Sequence, residues 1–367
     1  MKDVSDRKIE HLEICLSKDV EMHVNTTGFE DIWLIHRCIP EIDLDEVKLN
    51  TKFLGYELKA PILISAMTGG HPKTKHVNEV LAEVAEEYGL AMAVGSQRAA
   101  LLNSRLTDTF SVVREKAPNA FIIANIGAAQ LVKGLSIEDI RKVIDMVEAN
   151  ALNIHLNPAH EFSQVNGDPR FRGVLNAIRK VSENVDIPVI VKEVGCGISR
   201  EDAIKLVNEA KVKAIDVAGA GGTSWCKVEV YRAQNRGEIL RAEVAQAFSE
   251  WGIPTAISIV EVKSVVNVPV IASGGIRSGV DCAKAIALGA DLVGIALPLL
   301  KAASQGLDAL RNYVKMFLEQ LKGAMFLTGS KSIDELKKAH IVITGRVKEW
   351  LEVRGINLNE YLWRRGH

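Results

Sequence analysis

Five cysteines in 367 residues are few, and Cys15, Cys38, Cys196, Cys226 and Cys282 include no C-x-x-C pair. That spacing argues against a disulfide framework and against a thiolate zinc site, leaving reduced, buried thiols as the simpler reading. The sequence also lacks charge of one dominant sign: 45 Lys and Arg face 46 Asp and Glu, a formal net charge of −1 with no block of like charge. Nothing electrostatic therefore points to nucleic acid as a partner. Long apolar runs are missing as well. The longest uncharged one, Leu292 to Leu300, is far too short to cross a bilayer, and the opening MKDVSDRKIEHLEI has no apolar core of a secretory signal. A cytoplasmic protein without a membrane partner is the expectation.

What is present is a hydrophobic content of 47 %, enough for a large core. At this length the chain holds either two ordinary domains or one α/β barrel with insertions. From Pro61 a unit recurs: a short apolar run, a polar or glycine-rich end, then a stretch of helical periodicity. The runs are PILISAMTGG, AMAVGSQR, AFIIANIG, ALNIHLNP, PVIVKEVG, AIDVAGAGGTSW, PVIASGG and DLVGIALP. Their hydrophobicity is continuous rather than alternating, which marks strands covered on both faces, as in a parallel barrel. The expected fold is α/β, a (β/α)8 TIM barrel in a single domain over residues 1–367. An N-terminal extension occupies 1–58, the barrel 59–300 and C-terminal helices 301–367. Helices are expected at Lys73–Tyr88, Ser136–Asn150, Ser199–Ala210 and Ser278–Leu288, with Ser136 and Ser199 as caps. Gly221 to Glu238 reads as a long polar loop over the mouth. Ile239 to Val266 reads as two helices broken at Gly252-Ile253-Pro254, with a strand at Ala256–Ile259 the main threat to the count of eight. Two further helices, Leu307–Leu321 and Ile333–Ala339, precede a polar, Arg-rich tail.

Barrel enzymes carry their chemistry just after each strand. Those positions are Thr68; Ser96, Gln97 and Arg98; Asn125; His155, Asn157, His160 and Glu161; Lys192 and Glu193; Asp216, Thr223, Trp225 and Glu229; and Ala296 with Leu297. Gly274-Gly275 ends the seventh run ahead of Arg277 and a helix, so bare amides, a helix N-terminus and a fixed charge favour a phosphate there. Several of these residues keep a plainer reading. Lys192 is either paired with a carboxylate such as Asp216 or set against an electron-rich ligand. His155 taken alone reads better as a satisfied core histidine, and Met67 as packing or as the face for a flavin ring. Arg7, Lys8 and His11 fall within one helical turn, an arrangement that is usually a solvated face but also suits a phosphate.

Taken together, Arg7-Lys8 with His11, SAMTGG from Ser65, GSQR from Gly95, HLNP from His155, KEVGCG from Lys192, GAGGTSW from Gly219 and ASGGIRSG from Ala272 resemble the type 2, flavin-dependent isopentenyl-diphosphate isomerases. The resemblance runs from Arg7 to about Leu297. It implies an oligomeric FMN barrel, a tetramer or larger, that interconverts isopentenyl and dimethylallyl diphosphate without net redox change. Reduced FMN, Mg2+ and NADPH as reductant are implied with it. FMN would contact Ser65, Ala66, Met67, Thr68, Ser96, Asn125, Lys192 and Thr223, its phosphate lying on Gly275, Ile276 and Arg277 beside Ala296 and Leu297. Substrate would meet Arg7, Lys8, His11, Ser96, Gln97, Arg98, His155, Asn157 and His160. Glu161 would hold the metal, while His160, Trp225, Glu229 and Lys192 would serve catalysis. One departure stands out: His160 occupies the place of a family glutamine, which puts full activity in doubt. Two rival readings share the barrel, an FMN-dependent 2-hydroxyacid oxidase and a flavin-binding protein without catalysis.

Overall fold

The computed structural model describes residues 2–364 and 366. Eight parallel strands close into a barrel in chain order: Ile62–Ile64, Ala91–Ala93, Ile122–Gly127, Ala151–His155, Val189–Lys192, Ala214–Asp216, Val270–Ser273 and Leu292–Ile295. All eight coincide with the apolar runs. Inward side chains such as Leu63, Ile123, Ile190, Ile271 and Leu292 fill the interior, and their neighbours pack outward beneath the helices. Each strand thus spends both of its faces on core, which is why alternation is absent from its sequence. The register sets polar groups level at the C-terminal rim: His155 pairs with both Gly127 and Lys192, and Lys192 with Asp216.

The helix starts follow their caps. Ser136, Ser199 and Ser278 accept from the amides of Asp139, Asp202 and Asp281. The ends differ from expectation in places. The helix after Ser136 stops at Asp145, and Glu148 takes a left-handed turn (φ 44°) into the fourth strand. Most of the sixth loop is helical, as Trp225–Asn235, capped by Ser224. Its polar composition hid the buried face formed by Cys226, Val230 and Ala233 at helical spacing. Ile239–Gln246 and Thr255–Lys263 are the two expected helices, so Ala256–Ile259 is not a strand.

The N-terminal extension reaches both ends of the barrel. Its helix Lys2–Ser17 lies at the mouth, while the hairpin Thr51–Phe53/Tyr56–Leu58 shuts the far end with Phe53 edge-on to Phe121. Ile32–Leu34 pairs antiparallel with Ile341–Ile343, Ile32 opposite Ile343. The C-terminal segment is therefore no tail. It continues as helices Gly345–Val353 and Leu358–Arg364, anchored where Arg354 Nε donates to Glu261 Oε1 at 2.9 Å. Of the two helices before it, Leu307–Leu327 outruns the expected end and Ile333–Leu336 falls short of it. No helix among the described residues is long and apolar enough to cross a membrane.

Candidate active site

The helix Lys2–Ser17 presents Arg7, Lys8, His11, Leu12 and Cys15 on one face, and all five line a cleft over the C-terminal ends of the strands. Arg7 donates to Gln164 Oε1 at 3.0 Å. Lys8 and Arg98 make no ion pair among the described residues. Burial, with Arg7 and Arg98 close by, pushes Lys8 down to about 8. Three cations crowded together with so little counter-charge have the chemistry to hold a polyanion.

Ser65, Ala66, Met67, Thr68, Ser96, Asn125, His155 and Lys192 line the floor of the cleft. His155 Nδ1 shares a hydrogen bond with Asn125 Oδ1 at 3.0 Å, and burial beside Lys192 and Lys8 pushes its imidazole down to about 3. It is a neutral group on a positive floor. Lys192 Nζ donates to the Glu193 carbonyl at 2.5 Å. The Asp216 carboxylate is fully buried and binds Ser273 Oγ at 2.6 Å instead; burial raises its pKa. Lys192 thus has no direct carboxylate partner among the described residues, which leaves its charge available to a ligand. Burial likewise pushes Glu193 up to about 7, although its Oε2 accepts from the amides of Val194, Gly195 and Cys196. Ser65 Oγ is buried without a partner, and the amides of Ala66, Met67 and Thr68 donate to no acceptor among the described residues. This is an edge of free polar groups beside an apolar face.

At the seventh strand's end, Gly274 and Gly275 have φ 101° and 72°, a region open to glycine at little cost. The amides of Gly275 and Ile276 have no partner among the described residues, and the helix Leu297–Ser304 begins alongside. Arg277 also lines the cleft but is already ion-paired to Glu21. An anion at this turn would therefore meet chiefly backbone, while Arg277 ties the extension to the turn through Glu21. Thr223, Ala296 and Leu297 complete this side.

Opposite stands a charged cluster. The Glu229 carboxylate is fully buried; its Oε1 meets His11 Nε2 at 2.7 Å and His160 Nε2 at 3.0 Å, and its Oε2 meets Arg232 NH1 at 3.1 Å. Burial opposes its ionisation, but hydrogen bonds from His11 and His160 outweigh that and hold its pKa well below the usual range. Burial pushes His11 down to about 4. Trp225 stacks on His160, ring centroids 4.9 Å apart at 26°. Glu161, buried, accepts from Asn157 Nδ2 at 3.1 Å and the Asp168 amide at 2.7 Å, while Asn157 Oδ1 has no partner among the described residues.

Two expectations need correction. Gln97 does not reach the cleft: its side chain is fully buried, donating to the Val143 carbonyl at 2.8 Å and accepting from the Asn125 amide at 2.9 Å, so it braces the rim instead. Glu229 lies behind the cleft wall and acts on the cleft through His11 and His160. Sequence reading also passed over Arg232 and Gln164. Both stand three residues after a carboxylate, Glu229 and Glu161, a helical spacing that brings side chains together.

The sequence profile of the FMN-dependent dehydrogenases matches residues 1–130 and 130–343. An isopentenyl-diphosphate delta-isomerase of Methanothermobacter thermautotrophicus is 49 % identical over 358 residues, covering 98 % of this chain and 99 % of that protein. The protein of the same name from Sulfurisphaera tokodaii is 49 % identical over 365 residues, 98 % of each. The chain belongs to the isopentenyl-diphosphate delta-isomerases of the FMN-dependent dehydrogenase family. In fold, this isomerase is similar to a mandelate oxidase with 2-hydroxy-phenylacetamide, at TM-score 0.64 and 19 % identity over 94 % of this chain and 96 % of that one. Flavocytochrome b2 with sulfite gives 0.66 and 18 %, over 93 % and 84 %. The isomerase cleft suits a flavin mononucleotide on its own chemistry: a cradle of unpaired amides for a phosphate, unpartnered polar groups along one edge, and Met67 beside them.

Proposed function

We propose that the chain interconverts isopentenyl and dimethylallyl diphosphate, using FMN reduced by NADPH and a Mg2+ ion. The observation that carries this reading is the pair of separate anion receptors in one cleft. Amides of Gly275 and Ile276 serve one, and Arg7, Lys8 and Arg98 the other, with a floor between them that bears a lysine charge. A mononucleotide phosphate and a diphosphate are ligands that suit an amide cradle and a cation cluster respectively.

Bound and reduced, FMN supplies an electron-rich ring and a nitrogen able to hold or release a proton beside an alkene carbon. The chain's own residues do the rest. Lys192 places positive charge in the floor, which favours an anionic ring. Arg7, Lys8 and Arg98, with neutral His155 and Asn157, hold the diphosphate as an inert handle. Glu161 and the free Asn157 Oδ1 are hard oxygen donors suited to Mg2+, an ion that takes one or two carboxylates plus substrate phosphates. Trp225 and His160 form an aromatic wall able to stabilise positive charge on carbon and to keep out water, and Glu229 fixes the orientation of His160. We further read residues 1–367 as one working unit that assembles as a homo-oligomer in the cytoplasm.

The oxidase alternative is weaker. Relatives at 46–49 % identity are isomerases by name, whereas the oxidases share 17–19 %. The test incubates FMN-loaded protein with dithionite, Mg2+ and isopentenyl diphosphate and follows the product by NMR. Dimethylallyl diphosphate should form without net consumption of reductant. Bound flavin with unchanged substrate would support a non-catalytic binding protein instead.

A further inference from the structure

His11, His160 and Glu229 come from three different helices, and their ligating atoms all lie within 4.8 Å of one another. We propose that this trio is a site for a borderline transition-metal ion, zinc being the natural choice, distinct from any magnesium held through Glu161. Two imidazoles and one carboxylate are the donor set of open zinc sites, and imidazole nitrogen selects such ions over magnesium.

Geometry supports the assignment. Both Nε2 atoms point at the same oxygen, Glu229 Oε1, at 2.7 and 3.0 Å. Donors around a tetrahedral zinc stand about 3.3 Å apart. A retreat of a few tenths of an ångström therefore opens room for an ion between them. The rings cannot easily swing away, since Trp225 stacks on His160 and meets His11 edge-on with centroids 5.2 Å apart. Outer partners are in place too: Arg232 holds Glu229 Oε2, and Glu10 Oε2 holds Arg232 Nε at 2.6 Å. That leaves Oε1 as a single donor and fixes its direction. When the ion binds, each imidazole gives it the Nε2 lone pair and carries its proton on Nδ1 instead.

The side chains of His11 and His160 are 12 % and 13 % exposed, so the ion would have an open fourth position toward the cleft. Arg232 and Arg7 lie near enough to weaken the site, which makes the ion exchangeable rather than structural. Because it would take the Glu229 carboxylate and cover the aromatic wall, zinc should inhibit turnover. That consequence, unlike the binding itself, rests on the proposed isomerase reaction.

The test dialyses the FMN-loaded full chain against dilute zinc with a large excess of magnesium, then counts metal and flavin per chain. One zinc per chain is expected for the wild type. His160→Gln keeps a side chain able to bond Glu229 but loses the nitrogen donor, and zinc affinity should fall roughly tenfold or more. His11→Gln, on a different helix, should do the same and serves in its place if His160→Gln loses its flavin. Glu161→Gln should keep its zinc. A wild type that binds no zinc, zinc retained by both histidine variants, or zinc removed by Glu161→Gln would each overturn the proposal. None of these readouts needs turnover, so failure of the metal site and failure of the isomerase reading are told apart.

Discussion

Gly275→Ala, set against Gly237→Ala, separates the flavin cradle from general backbone strain. The two glycines have nearly the same backbone, φ 72° and 74°. Each variant therefore incurs a similar cost for a side chain at positive φ, on the order of 1 kcal/mol. At Gly237 that is all, because a Cβ there meets nothing within 4 Å. At Gly275 the Cβ falls 2.2 Å from Thr27 Cγ2 and 2.5 Å from the Gly221 carbonyl oxygen. Ordinary contact needs about 1 Å more, so the turn must shift and take the amides of Gly275 and Ile276 with it. A hydrogen bond from an amide to a charged phosphate contributes roughly 1.5–3 kcal/mol. Losing one weakens FMN binding by about tenfold to hundredfold. Fluorescence quenching of FMN titrated into flavin-free protein reads this directly, with a thermal melt to confirm folding. Equal FMN affinity in the two variants would refute the cradle.

Glu229→Gln removes the charge that His11, His160 and Arg232 share in a buried setting; a loss of about 3 kcal/mol is expected, seen as a lower melting temperature, together with reduced turnover. An unchanged melt would mean that the cluster contributes no stability. Lys192→Gln leaves the fold intact but removes the positive charge of the floor, so turnover should drop by roughly 100-fold and the midpoint potential of bound FMN should fall; an unaltered potential would place the charge elsewhere. His155 is held neutral down to about 3, whereas a free imidazole titrates at 6.5. Between those values the unfolded chain binds a proton that the native chain refuses, so His155 takes stability away as pH falls through 6.5 and has no such effect above it. In His155→Asn that loss disappears, and the variant's deficit in melting temperature should narrow as pH is lowered from neutrality. A deficit independent of pH would contradict the assignment.

The barrel was legible because each strand is buried on both faces, and the sequence writes that as an unbroken apolar run with a polar or glycine end. Helix starts were legible from Ser136 and Ser199 because a capping oxygen is a local device. What escaped depends on distance along the chain. Ile341–Ile343 is three residues long, and only its pairing with Ile32–Leu34 makes it a strand. Trp225–Asn235 carries Lys227, Glu229 and Arg232 among its apolar residues, and their charges read as a solvated loop until Glu10 and His11 of the N-terminal helix and Asp19 just beyond it pair with them. Arg7, Lys8 and His11 share that ambiguity, since their local pattern is that of an exposed helix face and only the family resemblance pointed them at a ligand. Gln97 shows the reverse error, since a position beside two cleft residues need not point with them.

The most direct test runs the reaction in D2O with FMN-loaded, dithionite-reduced protein and Mg2+. A cleft that moves protons to and from carbon predicts dimethylallyl diphosphate carrying solvent deuterium, with the flavin still reduced after many turnovers. Unlabelled substrate recovered intact, or product formed only as reductant is consumed in step with it, would contradict the account.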